Sequence, residues 1–165
     1  MVGDLYLLMY NKVKSKGERG SFVMFIGTYN HQLDAKNRFR VPAKFKTALG
    51  DNMVVTKGTQ GCLYLFTGEE LENSVINKTE NISLFDEKAQ KSLRLLLSSA
   101  FELETDNQGR TLLPQNLKQY AKINKNIVLI GVGKRIEIWA EEVWNEYSQN
   151  AEFDEELSKL TDYGV

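Results

Sequence analysis

The sequence predicts an α+β fold in which two fused ββαββ-type half units close one small pseudo-two-fold barrel, with flanking helices. First, the only two prolines, Pro42 and Pro114, close matching stretches, LDAKNRFRVP (Leu33–Pro42) and TDNQGRTLLP (Thr105–Pro114). Each reads Asp, three residues, Arg, three residues, Pro. Second, the match runs on: Phe45, Ala48 and Leu49 meet Leu117, Tyr120 and Ala121 at an offset of 72. After one inserted residue, Val54-Val55 meets Ile127-Val128, Gly58 meets Gly131, and Leu63–Phe66 meets Ile136–Trp139 at an offset of 73. Third, such a half unit has short strands and too little core to stand alone. Two halves sharing strands close a barrel and remove exposed edges.

Each half unit is read in the same order. A strand (Thr28–Leu33; Phe101–Thr105) reaches a polar loop (Ala35–Asn37; Asn107–Gly109), and a return strand begins at the Arg. Asn37 and Gly109 suit the positive φ that a tight hairpin requires. The proline then opens a short helix, where its missing N–H costs nothing and its φ is already helical. Phe45, Ala48 and Leu49, like Leu117, Tyr120 and Ala121, share one helical face. Two strands follow, with turns at Gly58–Gly61 and Gly131–Lys134, and then a helix. Thr67 and Glu70 have capping-box spacing.

This gives a first repeat over 24–72, a helical connector over 73–100, a second repeat over 101–144 and an acidic C-terminal helix over 145–165. In the connector, Asp86 can cap a helix whose stripe is Ala89, Leu93, Leu96, Leu97 and Ala100. The C-terminal segment is amphipathic through Val143, Trp144, Tyr147, Phe153, Leu157 and Leu160. These stripes exceed what one small barrel covers, so they bury either within the chain or against neighbouring subunits. Residues 1–23 lie outside the repeat. They are read either as an extension ahead of a natural start at Met24, or as a basic arm (Lys12, Lys14, Lys16, Arg19) that touches nucleic acid.

The net charge of -1 hides an uneven distribution. From His31 to Gly50 there are five Lys/Arg (Lys36, Arg38, Arg40, Lys44, Lys46) against Asp34; from Glu141 to Asp162 eight acids face Lys159 alone. A basic working face and a solvated acidic segment follow. With one cysteine, Cys62, and one histidine, His31, a disulfide or a Cys/His zinc site is out of reach. No apolar run is long enough to span a bilayer, which takes about 20 residues, and no cleavable leader is signalled, so a cytoplasmic protein is expected. No nucleophile–base pair, phosphate loop or dinucleotide fingerprint is present. Catalysis, metals and cofactors are therefore not expected.

Asp34 and Arg38 flank one loop, and Asp106 and Arg110 flank the other. Each carboxylate can hold its guanidinium in a fixed fork. Taken singly, such a pair is accounted for by pinning a turn. Its duplication, and the company of Lys36 and Arg40, point to phosphate contacts and bidentate contacts to guanine edges. The expected DNA-contacting residues are Lys36, Arg38, Arg40 and Arg110, with Asp34 and Asp106 orienting the loops. The first loop is the more basic and the better candidate for reading. Phe39 alternates with Arg38 and Arg40, which suits the core rather than the stacking of RNA bases.

The stretch FIGTYNHQLDAKNRFRVP (Phe25–Pro42), its echo ETDNQGRTLLP (Glu104–Pro114), and the GCLYLF and RIEIWA strands closely resemble the MraZ family over about Met24 to Tyr147. Where the family often has Gly before the first Arg, this chain has Asn37. The resemblance implies a swapped-hairpin fold related to AbrB-type transcription factors. It also implies a bacterial, cytoplasmic, nucleoid-associated regulator that binds direct repeats in double-stranded promoter DNA upstream of its own gene, at the head of the division and cell-wall cluster. Self-assembly as an octamer-like ring is implied too. The alternative from another class is a non-catalytic protein-interaction scaffold associated with cell division.

Overall fold

Strand pairing interleaves the two repeats. A computed structural model of the chain describes residues 24–164; both readings of residues 1–23 lie outside the described residues. The first repeat supplies β1 (Phe25–Gln32), β2 (Arg38–Arg40), α1 (Ala43–Leu49), β3 (Met53–Lys57) and β4 (Leu63–Thr67). The second supplies β5 (Phe101–Leu103), β6 (Arg110–Leu112), α5 (Gln115–Tyr120), β7 (Asn126–Gly133) and β8 (Arg135–Ala140). Between them run α2 (Gly68–Leu71), a π-turn (Glu72–Ile76), α3 (Asn77–Thr79) and α4 (Glu87–Leu97); α6 (Glu141–Gln149), α7 (Phe153–Ser158) and a 3-10 turn (Thr161–Tyr163) follow. No helix among the described residues is long and apolar enough to cross a membrane.

Six strands form one sheet in the order β1-β7-β8-β4-β3-β5, and β2 and β6 form a separate ribbon. All pairs are antiparallel. Exchanging the repeats leaves the order unchanged: the first strand of each half unit pairs with the third strand of the other. The pseudo-two-fold axis thus passes between β4 and β8, and between Phe39 and Thr111 in the ribbon. A hairpin between β1 and β2 was the expectation from sequence; the structure corrects it. The turn closes, with Asp34 N–H donating to the Arg38 carbonyl at 2.8 Å, but β1 then pairs with β7 and β2 with β6. β1 thereby gains the eight-residue β7 along its whole length, where the three-residue β2 could pair with only part of it.

The alternation of the strands explains the core. Phe39 and Thr111 point inward together, whereas Arg38, Arg40, Arg110 and Leu112 take the outer face of the ribbon. Phe25, Phe39, Phe45, Met53 and Leu65 pack with Leu113, Leu117, Ile127, Leu129, Ile136 and Ile138 in one cluster drawn from both repeats. Fully burying such a side chain is worth about 1.5–3 kcal/mol, which neither half could collect alone. The β1–β7 ladder needs a close backbone approach at Gly27 opposite Gly131. A Cβ on Gly131 would lie 2.3 Å from the Ile26 amide nitrogen. This long ladder carries β7 to Gly133, so the turn expected over Gly131–Lys134 narrows to Gly133 and Lys134.

The helices follow their local signals with three corrections. Pro42 and Pro114 are extended at the cap position (ψ 136), one residue before the helices they introduce. Their carbonyls accept the first intrahelical bonds, from Lys46 and Lys118 N–H among others. Tyr120 leaves the expected apolar face: its hydroxyl donates to the Gly58 carbonyl at 2.6 Å and Lys57 lies over its ring. The C-terminal acidic helix is divided at Asn150–Glu152 into α6 and α7. Thr67 and Asp86 cap α2 and α4 by accepting from Glu70 and Ala89 N–H. The α4 stripe is only partly covered, and Gln90 is the one buried residue of that helix. Cys62 is buried, and burial pushes its thiol up to about 12; His31 is half-buried on β1, where desolvation lowers its pKa.

Candidate nucleic-acid interface

The ribbon brings the two Asp-x-x-x-Arg loops together. In each, the first Asp oxygen acts on the backbone and the second on the side chain. Asp34 Oδ1 accepts from Lys36 N–H at 2.8 Å and Arg38 N–H at 2.9 Å. Asp106 Oδ1 accepts from Gln108 and Arg110 N–H, both at 2.9 Å. Such Asx-turn bonding is why Asp suits this position. Asn37 (φ 57) and Gly109 (φ 72) take the left-handed conformation that closes the turns, donating to the Asp34 and Asp106 carbonyls.

The remaining carboxylate oxygens build a four-charge cluster. Arg38 donates Nε to Asp34 Oδ2 at 2.8 Å, with its Nη2 at 2.7 Å. Arg110 does the same to Asp106 Oδ2 at 2.9 and 2.8 Å. The pairs are also crossed: Arg38 Nη1 lies 3.5 Å from Asp106 Oδ2, and Arg110 Nη1 lies 3.9 Å from Asp34 Oδ2. The sequence placed each Arg beside its own Asp. It did not reveal that the two pairs make one quartet.

Electrostatics follow from that geometry. The Arg38 guanidinium, then the Arg38 and Lys36 amides, hold the Asp34 carboxyl down to about 2. For Asp106 the Arg110 amide leads, followed by its guanidinium, again to about 2. Both acids are therefore ionised at neutral pH and the quartet is neutral as a unit. A guanidinium has five N–H donors, and the carboxylates engage three of those on Arg38 and two on Arg110. Each Arg keeps donors for an outer acceptor while its plane is fixed.

Lys36 and Arg40 are exposed, and neither has an ion-pair partner among the described residues. Arg40 lies directly opposite Arg110 on the outer face of the ribbon. The matching position of the second repeat is Leu112, 57% exposed. Arg40 and Arg110 thus share the end of the ribbon next to the second loop, while Leu112 lies opposite Arg38 at the end next to the first. Lys46, by contrast, is turned aside, donating to the Gly50 carbonyl at 2.6 Å and pairing with Asp51 at 3.1 Å.

Sequence reasoning missed the anchors of the first loop. Lys118 Nζ donates to Asn37 Oδ1 at 2.7 Å, and Asn37 Nδ2 donates to Gln115 Oε1 at 3.1 Å. The Asn37 carbonyl accepts from Leu113 N–H at 2.9 Å. The loop of one repeat is clamped on the helix of the other. The signal available was the Asn37/Gly109 difference, since only a side chain at that place can be held. Among the described residues, no group of three or more His, Cys, Asp or Glu is placed to hold a metal ion.

Residues 24–95 and 96–162 each match the profile of the family described as "MraZ protein, putative antitoxin-like". Curated relatives named "Transcriptional regulator MraZ" are similar over most of the chain. That of Clostridium beijerinckii is 47% identical over 143 residues, 86% of this chain and 100% of the relative. That of Clostridium tetani is 43% identical over the same coverage. That of Carboxydothermus hydrogenoformans is 40% identical over 142 residues, 85% of this chain and 99% of the relative.

Proposed function

The chain belongs to the MraZ family, and on that premise we propose that it is a non-catalytic, sequence-specific transcriptional regulator that binds double-stranded DNA. Its sites are short direct repeats upstream of its own gene in the division and cell-wall cluster, and it works in the cytoplasm at the nucleoid. The observation that carries the reading is the fixed guanidinium pair of Arg38 and Arg110, with Lys36 and Arg40, which have no ion-pair partner among the described residues, beside it. Lys36, Arg38, Arg40 and Arg110 make the DNA contacts, and Asp34 and Asp106 orient them. A preorganised Arg loses little freedom on meeting a base edge or phosphate. The acids cannot approach phosphate themselves.

The interleaved repeats are read as the halves of a swapped-hairpin barrel related to AbrB-type factors, divided at 24–72 and 101–144. Exposed Leu95, Phe153 and Leu157 favour burial between identical subunits in an octamer-like ring. In a ring, modest contacts by several identical loops add through effective concentration.

Fluorescence anisotropy tests the reading, with DNA from upstream of the gene beside a scrambled duplex at low and near-physiological salt. Preferential, salt-sensitive binding is expected, and Arg38→Ala should weaken it by about 1–3 kcal/mol per lost bidentate contact. Full affinity after Arg38→Ala and Arg110→Ala together would remove these residues from the interface. The same exposed apolar side chains favour a second reading, a protein-interaction scaffold whose Asp–Arg pairs only brace loops. Association that survives high salt and ignores DNA would select it.

A further inference from the structure

On the second repeat, one face of α5 and the turn after it line an open cleft of about 420 Å³, formed by Gln115, Lys118, Gln119, Lys122, Ile123 and Asn124. Two ammonium groups and three amides face it, and among the described residues no carboxylate does. Its floor is fixed. Lys122 is left-handed (φ 54) with its N–H donating to the Gln119 carbonyl at 3.1 Å, and Ile123 N–H donates to Lys118 carbonyl at 3.0 Å while its side chain is buried. Lys118 gives Asn37 one of its three N–H donors. Two remain, and the cleft adjoins the first loop through that bond.

The first repeat supplies an internal comparison. At the offset of 72, Lys46 matches Lys118 and Gly50 matches Lys122. Lys46 is neutralised by Asp51 at 3.1 Å, and no second cation stands at Gly50. The half units share a backbone plan, yet among the described residues the second sets two lysines together without an acid where the first sets one lysine against Asp51.

We propose that the α5 cleft is a second seat for a backbone phosphate of duplex DNA, continuing from the first loop. Lys122 and Lys118 supply the charge, and the Gln119 and Asn124 amides supply neutral donors. This rests on the DNA-binding reading above. A phosphodiester carries one charge and only acceptor oxygens, which two ammonium groups and amide donors complement without an opposing acid. Such a contact positions the protein along the duplex and carries no sequence information.

The test is Lys122→Gln in the full chain, titrated onto the upstream duplex and the scrambled duplex over a range of salt. The exposed Lys122 side chain has no internal hydrogen bond among the described residues, so the fold is expected to be unchanged. Binding should weaken several-fold on both duplexes alike, and the slope of log K against log salt should become shallower by about 0.9. Lys122→Arg should restore it. If the unaltered protein binds and Lys122→Gln leaves the slope as it was, the cleft is not a phosphate seat, while the DNA-binding reading stands. Failure of the unaltered protein to bind either duplex overturns both. An equal change in Lys159→Gln, on the acidic C-terminal segment, would assign the effect to overall charge and overturn the cleft.

Discussion

Arg38 of the first repeat reaches Asp106 of the second at 3.5 Å while holding Asp34 of its own loop at 2.7 Å. One guanidinium therefore ties together two loops that lie 72 residues apart in the chain. The duplicated motif gains meaning from this contact. Each Asp shapes its own turn, and each Arg reports the position of the other turn.

Replacing the bridge by a point charge should separate geometry from charge. Arg38→Lys keeps the cation but cannot span two carboxylates with a planar fork. DNA affinity is expected to fall about tenfold, or ~1.4 kcal/mol, with an unchanged salt slope. Arg40→Gln should do the reverse, lowering the slope by about 0.9. Anisotropy titrations of both variants across salt check this; equal slopes in the two would defeat the division of roles.

The quartet also sets the acid limb of stability. Asp34 and Asp106 titrate near 2 in the folded chain, against about 3.9 when unfolded. Because the folded pKa is the lower, the unfolded state binds protons first as pH falls. The stabilisation is whole above about pH 5 and is lost as pH drops through 4 towards 2. Melting temperatures from pH 7 to 2 should fall more steeply for the native chain than for Asp34→Asn with Asp106→Asn. Parallel profiles would show that the carboxylates contribute nothing to the acid limb.

The close approach of β1 and β7 predicts a cost far from the interface. A methyl on Gly131 would meet the Ile26 amide nitrogen at 2.3 Å and the Phe25 carbonyl carbon at 2.4 Å, and backbone atoms cannot swing aside as a side-chain end does. Gly131→Ala should cost about 1–3 kcal/mol or more by overpacking, read as a lower urea midpoint. A midpoint within error of the native chain would mean that the ladder slips without loss.

The local parts of this fold were legible because they rest on local chemistry. Asp34 and Asp106 announced Asx turns, Pro42 and Pro114 announced helix starts, and the alternation around Phe39 placed it in the core, where it is 1% exposed. What escaped the sequence was choice of partner. A strand such as Phe25–Gln32 carries its side-chain pattern but not the address of its ladder, and either β2 or β7 satisfies the same alternation. The quartet was hidden for the same reason, since it exists only once β2 pairs with β6. The break between α6 and α7 was hidden because their apolar stripe reads on through Asn150–Glu152.

The inter-repeat clamp on the first loop yields the last prediction. Asn37 combines a left-handed backbone with a side chain held by Lys118 and Gln115, whereas Gly109 has only the backbone geometry. Asn37→Gly retains the turn and removes the clamp, so the change in global stability should be small, about 0.5–1.5 kcal/mol for the lost hydrogen bonds. The effect should instead be local. Amide exchange at Lys36 and Arg38 should quicken towards that of Gln108 and Arg110, whose loop lacks this clamp. Asn37→Ala adds backbone strain at φ 57 and should cost more stability than the glycine variant. Hydrogen exchange read residue by residue decides the matter. If both loops exchange alike before the change and after it, the Lys118 contact does not rigidify the first loop, and the asymmetry between the repeats resides in charge alone.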